Sequence, residues 1–126
     1  MSSEREKRQR EIAREFLSQY LPIQLKFETL RKIKIEKLEA GEDNTMVCKQ
    51  LGEVGDKRHK LLSKIEILLD KAELSEIQRM IIEHTYYYGK SLEYIALKLN
   101  YSIQHIKRLK AQALTTIGSI IEHETQ

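Results

Sequence analysis

The chain has no tryptophan, one proline, one cysteine and five glycines among its 126 residues. Each scarcity excludes something. A lone Cys48 cannot close an internal disulfide and fits a reducing cytosol. With so little proline and glycine, and abundant Leu, Ile, Lys, Glu and Gln, the expected fold is all-α. No apolar run approaches the roughly 20 residues that a membrane helix needs, and no signal peptide opens the chain. A cytoplasmic protein without membrane association is therefore expected. Strong charge of one sign is also missing: 22 basic residues face 19 acidic ones, for a net charge of +3. Charge alone does not argue for nucleic acid.

Catalytic chemistry is equally sparse. His59, His84, His105 and His123 have no neighbours at metal-ligand spacing, and no G-x-x-x-x-G-K-S loop is present. The carboxylates are scattered over charged stretches, where solvation is the default. We expect no enzyme, no catalytic residue, no metal and no cofactor. His84, on an apolar face, reads as a satisfied core residue.

What is present is concentrated in Ser91–Leu114, SLEYIALKLNYSIQHIKRLKAQAL. Ser91 is a good N-cap, and Leu92, Ile95, Ala96 and Leu99 follow at helical spacing. Asn100 stands where the chain must reverse, and asparagine tolerates the left-handed conformation there. Ser102 offers a second N-cap, and Ile106, Leu109, Ala113 and Leu114 open a second apolar face. Ala96 is small where the two helix axes would cross, and Ile95, Leu99, Tyr101, Ile106 and Leu109 lock the pair at a fixed angle. The outward face of the second helix carries Gln104, His105, Lys107, Arg108 and Lys110, long donors with no carboxylate, which suits base edges and phosphates. A plain helical hairpin with a solvated basic face is the bland alternative. The expected DNA-binding residues are Ser102, Ile103, Gln104, His105, Lys107, Arg108 and Lys110, with Ser91 and Lys90.

Residues 74–114 resemble the C-terminal domain of bacterial sigma factors, the part that reads the upstream promoter element. The residues that carry the resemblance are Leu74, Gln78, Arg79, Ile81, Ile82, Tyr86, Gly89, Ser91, Leu92, Ile95, Ala96, Leu99, Ser102, Ile106, Lys107, Ala111, Ala113 and Leu114. A charged helical front half joined to this tail is similar in layout to phage-encoded late-transcription regulators of the ArpU and RinA type. The resemblance has a gap. Housekeeping sigma factors place Arg and Glu directly after the capping Ser, where this chain has Ile103 and Gln104, so the target is expected to differ from the ordinary upstream element. Ile103 cannot bond a guanine but suits a thymine methyl.

Ahead of this segment the chain reads as a series of helices. Met1–Gln19 is charged, with a sparse apolar line of Ile12, Phe16 and Leu17. Arg8, Arg10 and Arg14 are expected to be exposed, as a basic arm on phosphate or, preferably, as a solvated helix, since Glu4, Glu6, Glu11 and Glu15 sit among them. Pro22 suits the first turn of the next helix. Ile23, Phe27, Leu30, Ile33, Ile35 and Leu38 predict a long helix to Leu38, and GEDNT at 41–45 a turn. Gly52 and Gly55 weaken a helix over 46–56, which reads as a flexible loop, and Asp56 as the N-cap of a helix to about Ala72. The G-E-V-G of 52–55 makes a poor RNA-clamping loop, with an acid inside it and no strands around it. Ser75 with Gln78 forms a capping box that opens a helix over Glu76–Tyr88, with Ile77, Met80, Ile81 and His84 inward and Gly89 ending it. Tyr86, Tyr87 and Tyr88 read as core packing with one exposed ring in preference to a base-stacking platform. Ile117, Ile120 and Ile121 continue the last helix toward the front half or another protomer.

The expected organisation is a helical region, 1–72, for oligomerisation or partner contact, and a sigma-like helix-turn-helix domain, 73–126. The expected function is a sequence-specific transcription regulator of phage or prophage origin that binds double-stranded DNA, sits on the nucleoid and activates late genes with host RNA polymerase. The chain is too short for a complete sigma factor and lacks an aromatic-rich segment that would melt DNA. A small terminase-like packaging subunit and a sigma-mimicking protein that occupies polymerase remain the alternatives. Ile33, Leu38, Leu62, Leu69, Ile117 and Ile120 offer more apolar surface than a small reading domain covers, and a homodimer is expected.

Overall fold

The computed structural model describes residues 3–124, leaving Met1, Ser2, Thr125 and Gln126 outside the account. The described residues form six helices and no strand: α1 Glu4–Leu17, α2 Tyr20–Glu39, α3 Thr45–Ala72, α4 Glu76–Tyr86, α5 Leu92–Leu99 and α6 Ile103–Glu124. The all-α fold expected from composition is observed.

Local signals start several of these helices. Ser3 caps α1 in a reciprocal box with Glu6, whose carboxylate is held below the usual carboxylate range by the Ser3 N–H and hydroxyl. Ser75 and Gln78 do the same for α4. Pro22 lies in the first turn of α2, where its missing N–H costs nothing. α4 stops at Tyr86, two residues earlier than its apolar pattern predicts, and Gly89 turns the chain at φ +65°. A Cβ on Gly89 would come within 2.9 Å of the Leu21 side chain, so both the backbone angle and the close approach favour glycine.

The segment 46–56 is a correction. It is the first part of the continuous helix α3, and Asp56 is an interior residue of that helix. Val47, Leu51 and Val54 pack with Leu30, Phe27, Ile23 and Ile33 of α2, and this shared burial outweighs the glycine penalty of about 1 kcal/mol per residue. Gly55 lies under the Phe27 ring, where a Cβ would meet the ring at 3.2 Å. The Arg31 and Arg58 guanidiniums lie 5.9 and 5.1 Å from the centroid of the same ring.

The largest cluster joins residues from both sides of residue 72. Ala13, Leu17 and Tyr20 meet Ile65, Leu68, Leu69 and Ala72 of α3, Ile82 and Tyr86 of α4, and Ala113, Leu114 and Ile117 of α6. The isoleucines that prolong α6 thus pack onto the front of the chain. Leu69 and Ile117, expected to supply an intersubunit surface, are buried within the chain instead, whereas Leu38 is exposed. Ile35, also part of the predicted partner-facing side of α2, is exposed beside it. Among the described residues no helix is long and apolar enough to cross a membrane.

An ionic cluster ties α3 to α4. The Arg79 guanidinium reaches Glu66, Asp70 at 2.8 Å and Glu83 at 3.6 Å, and these partners raise its pKa further. Tyr87 donates its hydroxyl to Glu66 at 2.5 Å, and burial with that carboxylate drives its pKa strongly upward, so the phenol stays a donor. Of the three consecutive tyrosines, Tyr86 is buried, Tyr87 partly buried and Tyr88 exposed, as core packing with one free ring requires. His84 donates from Nδ1 to the Met80 carbonyl at 2.8 Å.

Candidate nucleic-acid interface

The turn between α5 and α6 follows from its residues. Ser91 accepts from the Tyr94 N–H at 3.1 Å and starts α5. Asn100 adopts φ 61° and ψ 44°, the left-handed conformation expected of it. The Tyr101 N–H then returns to the Ala96 carbonyl at 2.9 Å and the Asn100 N–H to that of Leu97 at 3.3 Å, a Schellman closure of the helix. Ser102 immediately caps α6 by accepting from the His105 N–H at 3.1 Å. Two residues, Tyr101 and Ser102, separate the left-handed residue from the first turn of α6.

The two helices are held by a core of their own. Ile81 of α4, Ile95 and Ala96 of α5 and Ile106 of α6 are buried together, with Ile77, Leu92, Leu99 and Leu109 at the margin. Ala96 is 4 % exposed and Ile106 fully buried, so the small residue does lie where the helices close. Gln78 of α4 donates to the Gln112 side chain at 3.4 Å and lies 3.5 Å from the Leu109 carbonyl, tying α4 to the middle of α6. Tyr101 is the exception among the predicted locking residues. Its ring is 39 % exposed and lies 4.9 Å from the His105 ring, outside the core.

The expected contact residues divide into groups. Ser102, Ile103, Gln104, Lys107 and Arg108 are exposed at the start of α6, and no acidic residue occurs in this helix before Glu122. Arg108 donates to His105 Nδ1 at 2.5 Å, which requires the lone pair on that nitrogen and leaves the ring proton on Nε2. His105 is thereby held between Tyr101 and Arg108. Lys90 and Ser91 lie apart at the start of α5, with the Lys90 ammonium 4.9 Å over the Tyr94 ring. Lys110 leaves the group. It is half-buried, its ammonium 5.5 Å over the Tyr86 ring, and burial followed by the nearby Arg14 charge lowers its pKa. The sequence places Lys110 near the outward face by spacing alone. What turns it inward is the proximity of Tyr86, a tertiary contact.

The front helix, which the sequence favours as solvated over a phosphate-gripping arm, borders this surface. α1 runs antiparallel to α6, with Arg5 near Glu122, Gln9 against Gly118 and Arg10 donating to Thr115 Oγ1 at 3.4 Å. Arg10 and Arg108 consequently line one cleft. The available signal was the spacing of Lys7, Arg10 and Arg14, which puts three cations on one side of a helix. Among the described residues no three His, Cys, Asp or Glu side chains are grouped to hold a metal ion.

Residues 72–117 match the family described as Sigma-70, region 4. That segment spans α4, α5 and most of α6, together with the turn just described. The C-terminal half of the chain therefore carries a sigma region 4-like helix-turn-helix, a DNA-binding module of the transcription-regulator type. No curated protein and no solved structure matches the chain.

Proposed function

We propose that the protein is a sequence-specific regulator of phage or prophage origin, which uses the start of α6 to select a promoter and activates late genes together with host RNA polymerase. The observation that carries the reading is the exposed, carboxylate-free face of Gln104, Lys107 and Arg108 on a helix whose angle is fixed by Asn100 and Ala96. In a helix-turn-helix the beginning of the second helix enters the major groove, so these are the side chains that reach base edges. Arg108 keeps donors free beyond its bond to His105 and suits the two acceptors of a guanine. Gln104 suits an adenine, and Ile103 a thymine methyl. Lys107, Lys90 and the capped ends at Ser91 and Ser102 suit phosphates, which set register without reading sequence.

The front of the chain supplies the part of the reading that concerns polymerase. α2 and the first half of α3 form a hairpin with its own small core and exposed Ile35, Leu38 and Met46, a surface fitted to a protein partner. Selection of bound fragments from the genome that encodes the chain tests the proposal. A short list of fragments sharing one motif upstream of late genes supports it, while recovery of fragments without a common motif overturns it. A large ring in solution would favour the packaging alternative.

A further inference from the structure

We propose that the cleft between α1 and α6, lined by Arg10, Arg108, Gln112, Thr115 and Thr116, seats a DNA backbone phosphate and carries the strand from the reading helix onto the front helix. This deepens the proposed function and rests on α6 meeting DNA.

Position comes first. α1 is laid along α6 so closely that the Gln9 backbone occupies the space of a Gly118 side chain. Gln9 is 5 % exposed and donates to Glu122 Oε1 at 3.2 Å, and Arg10 donates to Thr115 Oγ1. Arg10 is therefore held in place before DNA arrives, and little side-chain freedom is lost on binding. It faces the same cleft as Arg108, one of the residues expected to meet base edges, on the flank of α6 that continues through Gln112 and Thr115.

Charge comes second. Neither Arg10 nor Arg108 is ion-paired with a carboxylate among the described residues. Glu6 is the acidic side chain on the wall of the cleft; its Oε1 accepts from the Ser3 N–H and hydroxyl in the α1 cap, and its charge is felt by Arg10. Two arginines against one carboxylate leave the cleft cationic, with Arg10 and the Gln112 amide turned to it while the Thr115 and Thr116 hydroxyls donate to the Ala111 and Gln112 carbonyls. The Arg10 guanidinium fork matches phosphate oxygens, and the Gln112 amide adds a donor. Arg14, exposed one turn further along α1, prolongs the cationic side. The chemistry selects an oxyanion on a polyanion and reads no base.

The test compares wild type with Arg10→Gln, Arg10→Lys and Thr115→Val on the selected duplex and on a scrambled duplex, across salt. Arg10→Gln is expected to lower affinity for both duplexes by the same factor, about threefold to tenfold. It should also reduce the slope of log affinity against log salt by about 0.9, the signature of one lost phosphate contact. Arg10→Lys should keep the slope, and Thr115→Val, which releases Arg10 without removing its charge, should keep the slope while lowering affinity for both duplexes alike. An unchanged slope in a folded Arg10→Gln protein overturns the proposal. Should that variant melt early, phosphates flanking the site are neutralised one at a time as methylphosphonates and bound by wild type. Weakening at a phosphate beyond the bases that α6 contacts supports the seat, and no weakening at any of them overturns it. A wild-type protein that shows no sequence preference overturns the reading role of α6, whereas the Arg10 slope is still measured on any duplex.

Discussion

Gly118 of α6 and Gln9 of α1 meet backbone to backbone: a Cβ on Gly118 would fall 1.8 Å from the Gln9 carbonyl oxygen. The neighbour is main chain and cannot swing aside, so the front helix and the extended end of the reading helix are locked at this one residue. Below it on α6 lie Ala113, Leu114 and Ile117, all buried against the front of the chain.

Gly118→Ala is accordingly expected to destabilise the protein by about 1–3 kcal/mol or more through overpacking. Gly52 is the control, since nothing lies within 4 Å of a Cβ there and the residue is helical. Gly52→Ala should stabilise by about 0.5–1 kcal/mol. Urea unfolding of the two variants measures both, and equal midpoints would refute the close approach.

The turn between α5 and α6 makes a second paired prediction. Asn100→Gly should be neutral or mildly stabilising, whereas Asn100→Val should cost about 1–2 kcal/mol because its branched Cβ meets the following carbonyl. Ala96→Leu should cost about 1–3 kcal/mol by forcing α5 from α6. Both Asn100→Val and Ala96→Leu should lose specific DNA binding although neither position is among the expected base contacts. Thermal melts and binding isotherms that match wild type in both would remove the helix-turn-helix.

Lys110 gives a prediction in pH. Its folded pKa is lowered by burial and by Arg14, so between that value and the ordinary lysine value the unfolded chain holds more protons. Stability contributed by this group therefore rises with pH through that alkaline window, and the cost of burying the ammonium is fully present at neutral pH. Lys110→Met should be at least as stable as wild type at pH 7, with the difference shrinking as pH climbs toward 10. A difference that grows with pH would show the opposite sign. The variant should also keep its sequence preference, because Lys110 points to Tyr86.

These cases show what the sequence could and could not disclose. The caps at Ser75, Ser91 and Ser102 and the reversal at Asn100 are local chemistry, written within a few residues, and each was legible. The helix over 46–56 was not, because Gly52 and Gly55 argue against it locally and the Phe27 face that rewards it lies on another helix. Lys110 misled for the same reason, as helical spacing does not report which ring comes to lie under an ammonium. The contact between Gln9 and Gly118 spans most of the chain, and nothing near either residue announces it.

Association is a prediction that the exposed apolar side chains support. With Leu69 and Ile117 consumed internally, Leu38 is the exposed member of the set expected to associate, so a homodimer would compete with polymerase for the α2 face that also carries Ile35. A dimer mass is expected by light scattering at micromolar concentration, and Leu38→Glu should shift it to the monomer. A wild-type mass that stays monomeric at that concentration would exclude a dimer.

The central claim is that the start of α6 reads DNA, and the Lys107→Ala, Arg108→Ala double variant tests it most directly. Its affinity is to be measured on the selected site and on a scrambled duplex, after its melting curve has been matched to wild type. One bidentate arginine is worth about 1–3 kcal/mol of base discrimination. Wild type should thus prefer its site strongly, and the folded double variant should lose about tenfold to a hundredfold of that preference or more. A folded double variant that binds the site with wild-type affinity and preference would contradict the assignment.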